Sequence, residues 1–250
     1  MTLESNPYSL IGKVILVTGA SSGIGKATAR LCSEMGAQVV VTGRNENRLL
    51  QTFNALSGEG HQMIVADLTK KENVEHLCKT TPQLDGIVHC AGIVRRQLCK
   101  SVTEEDIALV ISTNFNAVAL LQAGLLSSKK IKKEASIVFI SSRAAETPAI
   151  ANAVYSASKG AIVSYARCLS LELAPKRIRV NCILPAVVLT PIILESGVAK
   201  EQLEDELSRY PLGRYGQPED IANLAVFLLS DAASWMTGSC IDITGGAIGL

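Results

Sequence analysis

Tyr155 and Lys159 stand four positions apart in the stretch Tyr155-Ser156-Ala157-Ser158-Lys159. On a helix that spacing puts both side chains on one face, with an ammonium beside a phenol. A neighbouring cation favours the phenolate and draws a tyrosine pKa down from about 10. Such a tyrosine can serve as a general acid or base. A second group of residues, Thr18-Gly19-Ala20-Ser21-Ser22-Gly23-Ile24-Gly25, follows a short apolar run. Glycines at a strand-to-helix turn let a dinucleotide pyrophosphate approach the backbone, where helix N-terminal amides and the helix dipole stabilise it. The spacing here is G-x-x-x-G-x-G.

These residues must be held by an alternation of short apolar runs and longer amphipathic segments, the βαβ pattern of a parallel sheet covered on both faces. The strand candidates are Lys13–Thr18, Gln38–Thr42, Gln62–Ala66, Gly86–Cys90, Ser136–Ile140, Arg179–Ile183 and Cys240–Ile243. Helices are expected near Gly25–Met35, Arg48–Leu56, Lys71–Lys79, Glu104–Leu126, Tyr155–Leu173 and Pro218–Leu229. Thr103 ahead of Glu104 and Asp106, and Pro218 ahead of Glu219 and Asp220, are helix-opening chemistry. The pattern predicts a single α/β domain over residues 1–250, a Rossmann-type three-layer fold with a central seven-stranded parallel sheet and the site at the carboxyl ends of the strands. The long irregular stretch Pro185–Arg214, with a small helix near Lys200–Ser208, has the character of a substrate lid.

Composition narrows the function classes. The 24 basic and 23 acidic side chains leave a formal charge of +1, too balanced for a nucleic-acid footprint. Apolar stretches such as Ile183–Leu194 are interrupted by Pro185 and Pro191, so no membrane segment is expected. Met1–Lys13 lacks the form of a signal peptide, which predicts a cytoplasmic protein. The seven cysteines include no C-x-x-C pair and the three histidines, His61, His76 and His89, are scattered, so reduced thiols and no metal site are expected.

Taken in order, Gly23-Ile24-Gly25, Ala91-Gly92, Asn114, Ser141-Ser142 and Tyr155-x-x-x-Lys159 resemble the short-chain dehydrogenase/reductase family. Pro211-Leu212-Gly213-Arg214 and Gly216-Gln217-Pro218-Glu219-Asp220 are similar to segments of its 3-oxoacyl-acyl-carrier-protein reductases. The resemblance implies a catalytic set of Asn114, Ser142, Tyr155 and Lys159. In it Ser142 holds the substrate oxygen, Tyr155 handles the proton, Lys159 also binds the nicotinamide ribose, and Asn114 helps hold a water chain to the lysine. Ser141, adjacent to Ser142, is the other hydroxyl available.

Further cofactor contacts implied by the resemblance are Gly19, Ser21, Ser22, Gly23, Ile24 and Gly25 at the phosphates, and Asp67 and Leu68 at the adenine. Cys90, Ala91 and Gly92 would lie beneath the adenosine ribose, and Pro185, Val188 and Thr190 beside the carboxamide. Two departures stand out: His89-Cys90 replaces the usual Asn-Asn, and Pro185-Ala186 the usual Pro-Gly. In Thr42-Gly43-Arg44-Asn45, Gly43 occupies the position where NAD enzymes carry an acidic residue, and Arg44 suits a 2′-phosphate. NADP(H) is therefore the expected cofactor.

The expected reaction interconverts a ketone, such as a 3-oxoacyl thioester, and its secondary alcohol. An alcohol, polyol or sugar dehydrogenase is the neighbouring alternative, and a nucleotide-sensing scaffold without turnover the distant one. The run Lys129, Lys130, Lys132, Lys133 is either a solvated face or a dock for an acidic carrier protein. Arg95 and Arg96 could instead steer an anionic group at the mouth of the site. Helices Glu104–Leu126 and Tyr155–Leu173 resemble those that pair between subunits in this family, which implies a homotetramer.

Overall fold

The structure is a computed structural model that describes residues 6–147, 149–194 and 200–247. Seven parallel strands form one sheet in the order β3-β2-β1-β4-β5-β6-β7. They are β1 Val14–Thr18, β2 Gln38–Gly43, β3 Gln62–Val65, β4 Leu84–His89, β5 Ile131–Ile140, β6 Arg179–Pro185 and β7 Cys240–Ile243. The helices are α1 Gly23–Glu34, α2 Glu46–Phe53, α3 Lys71–Thr80, α4 Glu104–Ile111, α5 Ala117–Ser127, α6 Ala153–Leu173, α7 Pro191–Leu194, α8 Lys200–Leu207 and α9 Pro218–Leu229. Of the irregular stretch Pro185–Arg214, residues 195–199 lie outside the described residues.

The central strands are apolar on both faces because each face meets helices. Leu16, Ile87, Ile137 and Phe139 pack against α3, α5 and α6. Their neighbours Ile15, Val17, Val88 and Val138 point the other way, toward α1 and α9. The order reverses at β1, flanked by β2 and β4, so the chain leaves β1 and β4 at a topological switch point.

The differences from the sequence expectation are local. β5 begins at Ile131 rather than Ser136 because Ile131 pairs with Leu84 and Lys132 reaches Asp85 at 2.7 Å. The lysine run therefore sits on the amino-terminal side of β5, with Lys130 donating to the carbonyls of Lys79 and Thr81 at 3.1 and 2.7 Å. From Lys133 to Ile140, which lines the cleft, the strand runs about 23 Å. The long helix expected over Glu104–Leu126 is broken by a π-helical turn, Ser112–Asn116. The run Glu104–Ser127 is long and apolar enough by composition to cross a membrane, yet Val118, Leu121 and Leu125 are buried against the sheet.

His89 ends β4 beneath the site. Its ring stacks on Phe139 with centroids 4.8 Å apart, and Nε2 lies 3.0 Å from Gln122 Oε1. Burial pushes its pKa down to about 4, against a hydrogen bond to Gln122 that pulls the other way. The unfolded chain binds this proton near pH 6.5 and the folded chain only near 4. Stability is therefore full above about 6.5 and falls as the pH drops toward 4, by roughly 3 kcal/mol in all. Urea melts across this window should show that limb, and His89→Asn should flatten it. Parallel limbs in both proteins would mean that another group titrates.

Candidate active site

The site is built where β1 and β4 end. Thr18 Oγ1 accepts from the backbone N–H groups of Cys90 and Ala91 at 3.1 and 3.2 Å, lashing the two strand ends together. Gly19 follows at φ +64°, and a Cβ there would lie 2.9 Å from the Ala91 backbone. At Gly25 a Cβ would lie 2.4 Å from the Gly19 carbonyl oxygen. No side chain fits at either place, so α1 starts hard against the turn. Ser22 at its N-cap makes no side-chain cap bond, and the first turn carries no acidic residue. The opening amides of α1 are thus free to hold an anion.

A cleft of about 360 Å³ runs along the carboxyl ends of the strands. This cradle fits a dinucleotide: Ser21, Ser22, Gly23 and Ile24 line its middle, and Cys90, Ala91 and Gly92 its floor. Toward one end lie Gly43, Arg44, Leu68 and two residues that sequence reasoning missed, Arg48 and Thr69. Arg48 is placed by the cap of α2, where Asn45 Oδ1 accepts from the Arg48 N–H at 2.9 Å and sets the first helical turn beside Gly43. The Asn45-x-x-Arg48 spacing was the signal that could have found it. Asp67 does not line the cleft. Its carboxylate turns to Thr69, accepting from the N–H at 3.0 Å and the hydroxyl at 2.7 Å, so Thr69 faces the space instead.

At the other end the cleft brings together Ser142, Tyr155, Lys159, Pro185, Val188 and Thr190. The Ser142 hydroxyl is close enough to the Tyr155 phenol to draw its pKa down. Lys159 Nζ donates to the Ile140 carbonyl at 2.9 Å and lies 5.8 Å from the centre of the Tyr155 ring. Burial lowers the Lys159 pKa to about 8. Burial raises that of Tyr155 and outweighs the pull of Ser142. The phenol therefore differs from the sequence expectation of a lowered pKa: the ammonium is committed to Ile140, and desolvation of the phenolate dominates. Ser141 resolves as a structural neighbour, its hydroxyl buried and donating to the Lys159 carbonyl at 2.9 Å.

Asn114 lies in the π-helical turn and is buried outside the cleft lining. Its Oδ1 accepts from the Ile93 N–H at 2.8 Å, while Nδ2 donates to the Ile93 carbonyl and Ser158 Oγ, both at 3.0 Å. Ser158 in turn donates to the Tyr155 carbonyl at 2.7 Å. Asn114 thereby ties the loop after β4 to the helix carrying Tyr155 and Lys159. It is also close to the lysine across Gly92, where a Cβ would lie 3.3 Å from Asn114 Oδ1 and 3.5 Å from Lys159 Nζ.

Ile93, Val94, Ile192 and Ile193 add an apolar wall that the motifs did not mark. Arg95, a candidate for steering anions, is instead paired with the buried Asp106 in the capping box of α4. The two departures are both accommodated. The Cys90 thiol is held un-ionised by burial, which pushes its pKa up to about 12, and Ala186 keeps a negative φ, so no glycine is needed.

The chain matches the family model described as enoyl-(acyl carrier protein) reductase over residues 19–247. It is 34% identical to the 3-oxoacyl-[acyl-carrier-protein] reductase of Rickettsia felis, covering 96% of this chain and 98% of that one. The corresponding Thermotoga maritima reductase is 35% identical, with 96% and 99% covered. Among solved structures, a Beutenbergia cavernae protein described as an NAD(P)-dependent gluconate 5-dehydrogenase with bound NADP superposes with a TM-score of 0.87. It shares 31% identity over 97% of this chain and 99% of that one. The glycine cradle at the switch point, the serine, tyrosine and lysine at one end of a single cleft, and likeness over the full sheet lead to one conclusion: this chain is an oxidoreductase of the short-chain dehydrogenase/reductase family, a family that uses a nicotinamide cofactor.

Proposed function

We propose that the protein uses NADP(H) to interconvert a ketone and its secondary alcohol, with a 3-oxoacyl thioester as the first substrate class to test. The observation that carries this reading is one cleft with Arg44 and Arg48 at one end and Ser142, Tyr155 and Lys159 at the other. The names of the Rickettsia and Thermotoga relatives support the thioester. That of the Beutenbergia protein supports a sugar-acid dehydrogenase as the second reading.

When bound, the cofactor supplies a hydride for the carbonyl carbon. Gly19 and Ser21–Gly25 would hold its phosphates, Arg44 and Arg48 the 2′-phosphate, and Lys159 the nicotinamide ribose. The Ser142 hydroxyl donates to the substrate carbonyl oxygen. Tyr155 gives its phenolic proton to that oxygen as negative charge develops there. A phenol kept protonated by burial is ready for the reductive direction. Asn114 acts behind them by fixing Ile93 and Ser158. The described part of Pro185–Arg214 contributes Ile192 and Ile193 to the wall, which suits a lid.

Initial rates of NADPH oxidation with acetoacetyl thioesters, free or carrier-linked, and with diketones and keto-sugars test the substrate reading. Turnover with keto-sugars alone would favour the second one. Binding of NADPH with no turnover on any class would favour the scaffold.

Among the described residues neither Arg44 nor Arg48 is in a salt bridge, though Arg44 is near enough to Asp67 to help hold its carboxyl below the usual range, and both guanidinium groups line the cleft. A charge-assisted hydrogen bond contributes roughly 1.5–3 kcal/mol, less where solvent screens it. Arg44→Ala is expected to weaken NADPH binding by roughly ten- to a hundredfold and to leave NADH nearly unchanged. Adding Gly43→Asp should reverse the preference, and its Cβ, 3.3 Å from Ser21 Oγ, needs only a small adjustment. Equal losses for both cofactors in fluorescence titrations would show that Arg44 merely supports its loop.

A homotetramer is proposed from the outer faces of α4, α5 and α6, where Ile107, Leu109, Leu120 and Leu171 are exposed. Light scattering at micromolar concentration should give a mass about four times that of the chain. A monomeric mass would contradict it.

A further inference from the structure

Ser142 is followed by a short helical turn, Arg143–Ala145, whose internal bonds are all local. Ser142 Oγ accepts from the Ala144 N–H at 3.1 Å, and the Arg143 carbonyl accepts from the N–H groups of Glu146 and Thr147 at 3.0 Å. Ala145 packs this turn on the core and on α6, and a second hold from outside fixes its angle on the end of β5. The Arg143 side chain supplies that hold. Its Nη1 donates to Glu146 Oε2 at 2.8 Å within the turn and to Asp242 Oδ2 at 2.9 Å on β7. Asp242 is in register with Leu184 on β6, directly before Pro185. One guanidinium thus connects the serine turn to the strand pair that ends at the cleft.

Arg143 does not line the cleft, and its side chain is 19% exposed, so it has no direct route to a substrate. Asp242 and Glu146 are nearly half exposed, which makes the ion pairs minor contributors to global stability. Their directional value is separate from their energy, because a misplacement of about 1 Å in a reacting group can cost on the order of a hundredfold in rate. We infer that Arg143 is a positioning residue, and that its bond to Asp242 fixes the setting of the turn that aims the Ser142 hydroxyl at Tyr155. The inference rests on the proposed role of Ser142.

The test is a cycle of variants, measuring kcat, the KM for the ketone and the NADPH dissociation constant. Arg143→Ala and Asp242→Asn should each lower kcat by roughly tenfold or more and leave NADPH binding within about twofold. Arg143→Lys should recover part of the loss. In a Ser142→Ala background neither change should cost anything further, because the group they position is gone. Asp242→Asn, isosteric and at a half-exposed site, carries the test if Arg143→Ala does not fold. Parent-like kcat in Arg143→Ala and Asp242→Asn, losses that add fully to that of Ser142→Ala, or a rise in KM alone would each overturn the inference. A Ser142→Ala protein with parent-like turnover would be a different failure, overturning the reading of the site and the inference with it.

Discussion

Tyr155→Phe is expected to lower kcat by roughly a hundred- to ten-thousandfold, the usual contribution of a positioned general acid, while NADPH binding stays within a few-fold. The substitution keeps the ring against Lys159 and removes one oxygen. Two things go with that oxygen: its polar contact with Ser142 and the proton for the substrate. The first costs about 1 kcal/mol of stability or less. The second exists only as the carbonyl oxygen gains charge, so kcat and kcat/KM should fall together. Steady-state kinetics with a saturating ketone and a thermal melt separate the two effects. A variant with near-parent turnover and only a shifted melt would mean that the phenol is a packing group.

Lys159→Met is expected to impair turnover and weaken NADPH binding, yet leave the fold as stable or more so. Lys159 is buried, and desolvation lowers its pKa from 10.5 to about 8. Below pH 8 both folded and unfolded chains carry the charge, and the folded chain bears its full desolvation cost, up to roughly 3 kcal/mol by linkage. That cost is relieved as the pH rises from about 8 to 10.5. Methionine removes it at neutral pH, offset by about 1 kcal/mol for the Ile140 carbonyl left without its donor. A net gain in melting temperature together with a large loss of activity is the signature of a charge kept for function. The same shift predicts that kcat/KM of the parent falls as the pH rises past about 8, because the free enzyme then loses the ammonium. A Met variant that melts lower, with activity lost only in proportion to unfolded protein, would assign the lysine to structure.

Much of this was legible in the chain because it depends on contacts near in sequence. The G-x-x-x-G-x-G turn and the Tyr155, Lys159 spacing are dictated by one turn and one helix, and the doubly apolar strands by period and composition. The rest depends on what the sheet brings together. Arg48 and Thr69 face the cleft only because the cap at Asn45 and the turn at Asp67 direct the chain there. Lys129–Lys133 reads as a solvated face or a dock until β4 is laid beside it, when Lys132 finds Asp85. The rise in the Tyr155 pKa could not be read from a neighbouring lysine, since it depends on where that lysine's ammonium is hydrogen-bonded and on how deeply the phenol lies. Nothing in the sequence marks Arg143, because its partner Asp242 comes from the last strand.

The most direct test of the whole account follows an atom. Purified protein is incubated with NADPH carrying deuterium at nicotinamide C4 on either face and with a panel of 3-oxoacyl thioesters and keto-sugars, and the alcohols are analysed by mass spectrometry. The account predicts deuterium on the carbinol carbon from one face of the cofactor only, with the labelled product lost in Tyr155→Phe. Tight NADPH binding with no label in any product, or equal labelling by the parent and Tyr155→Phe proteins, would contradict it.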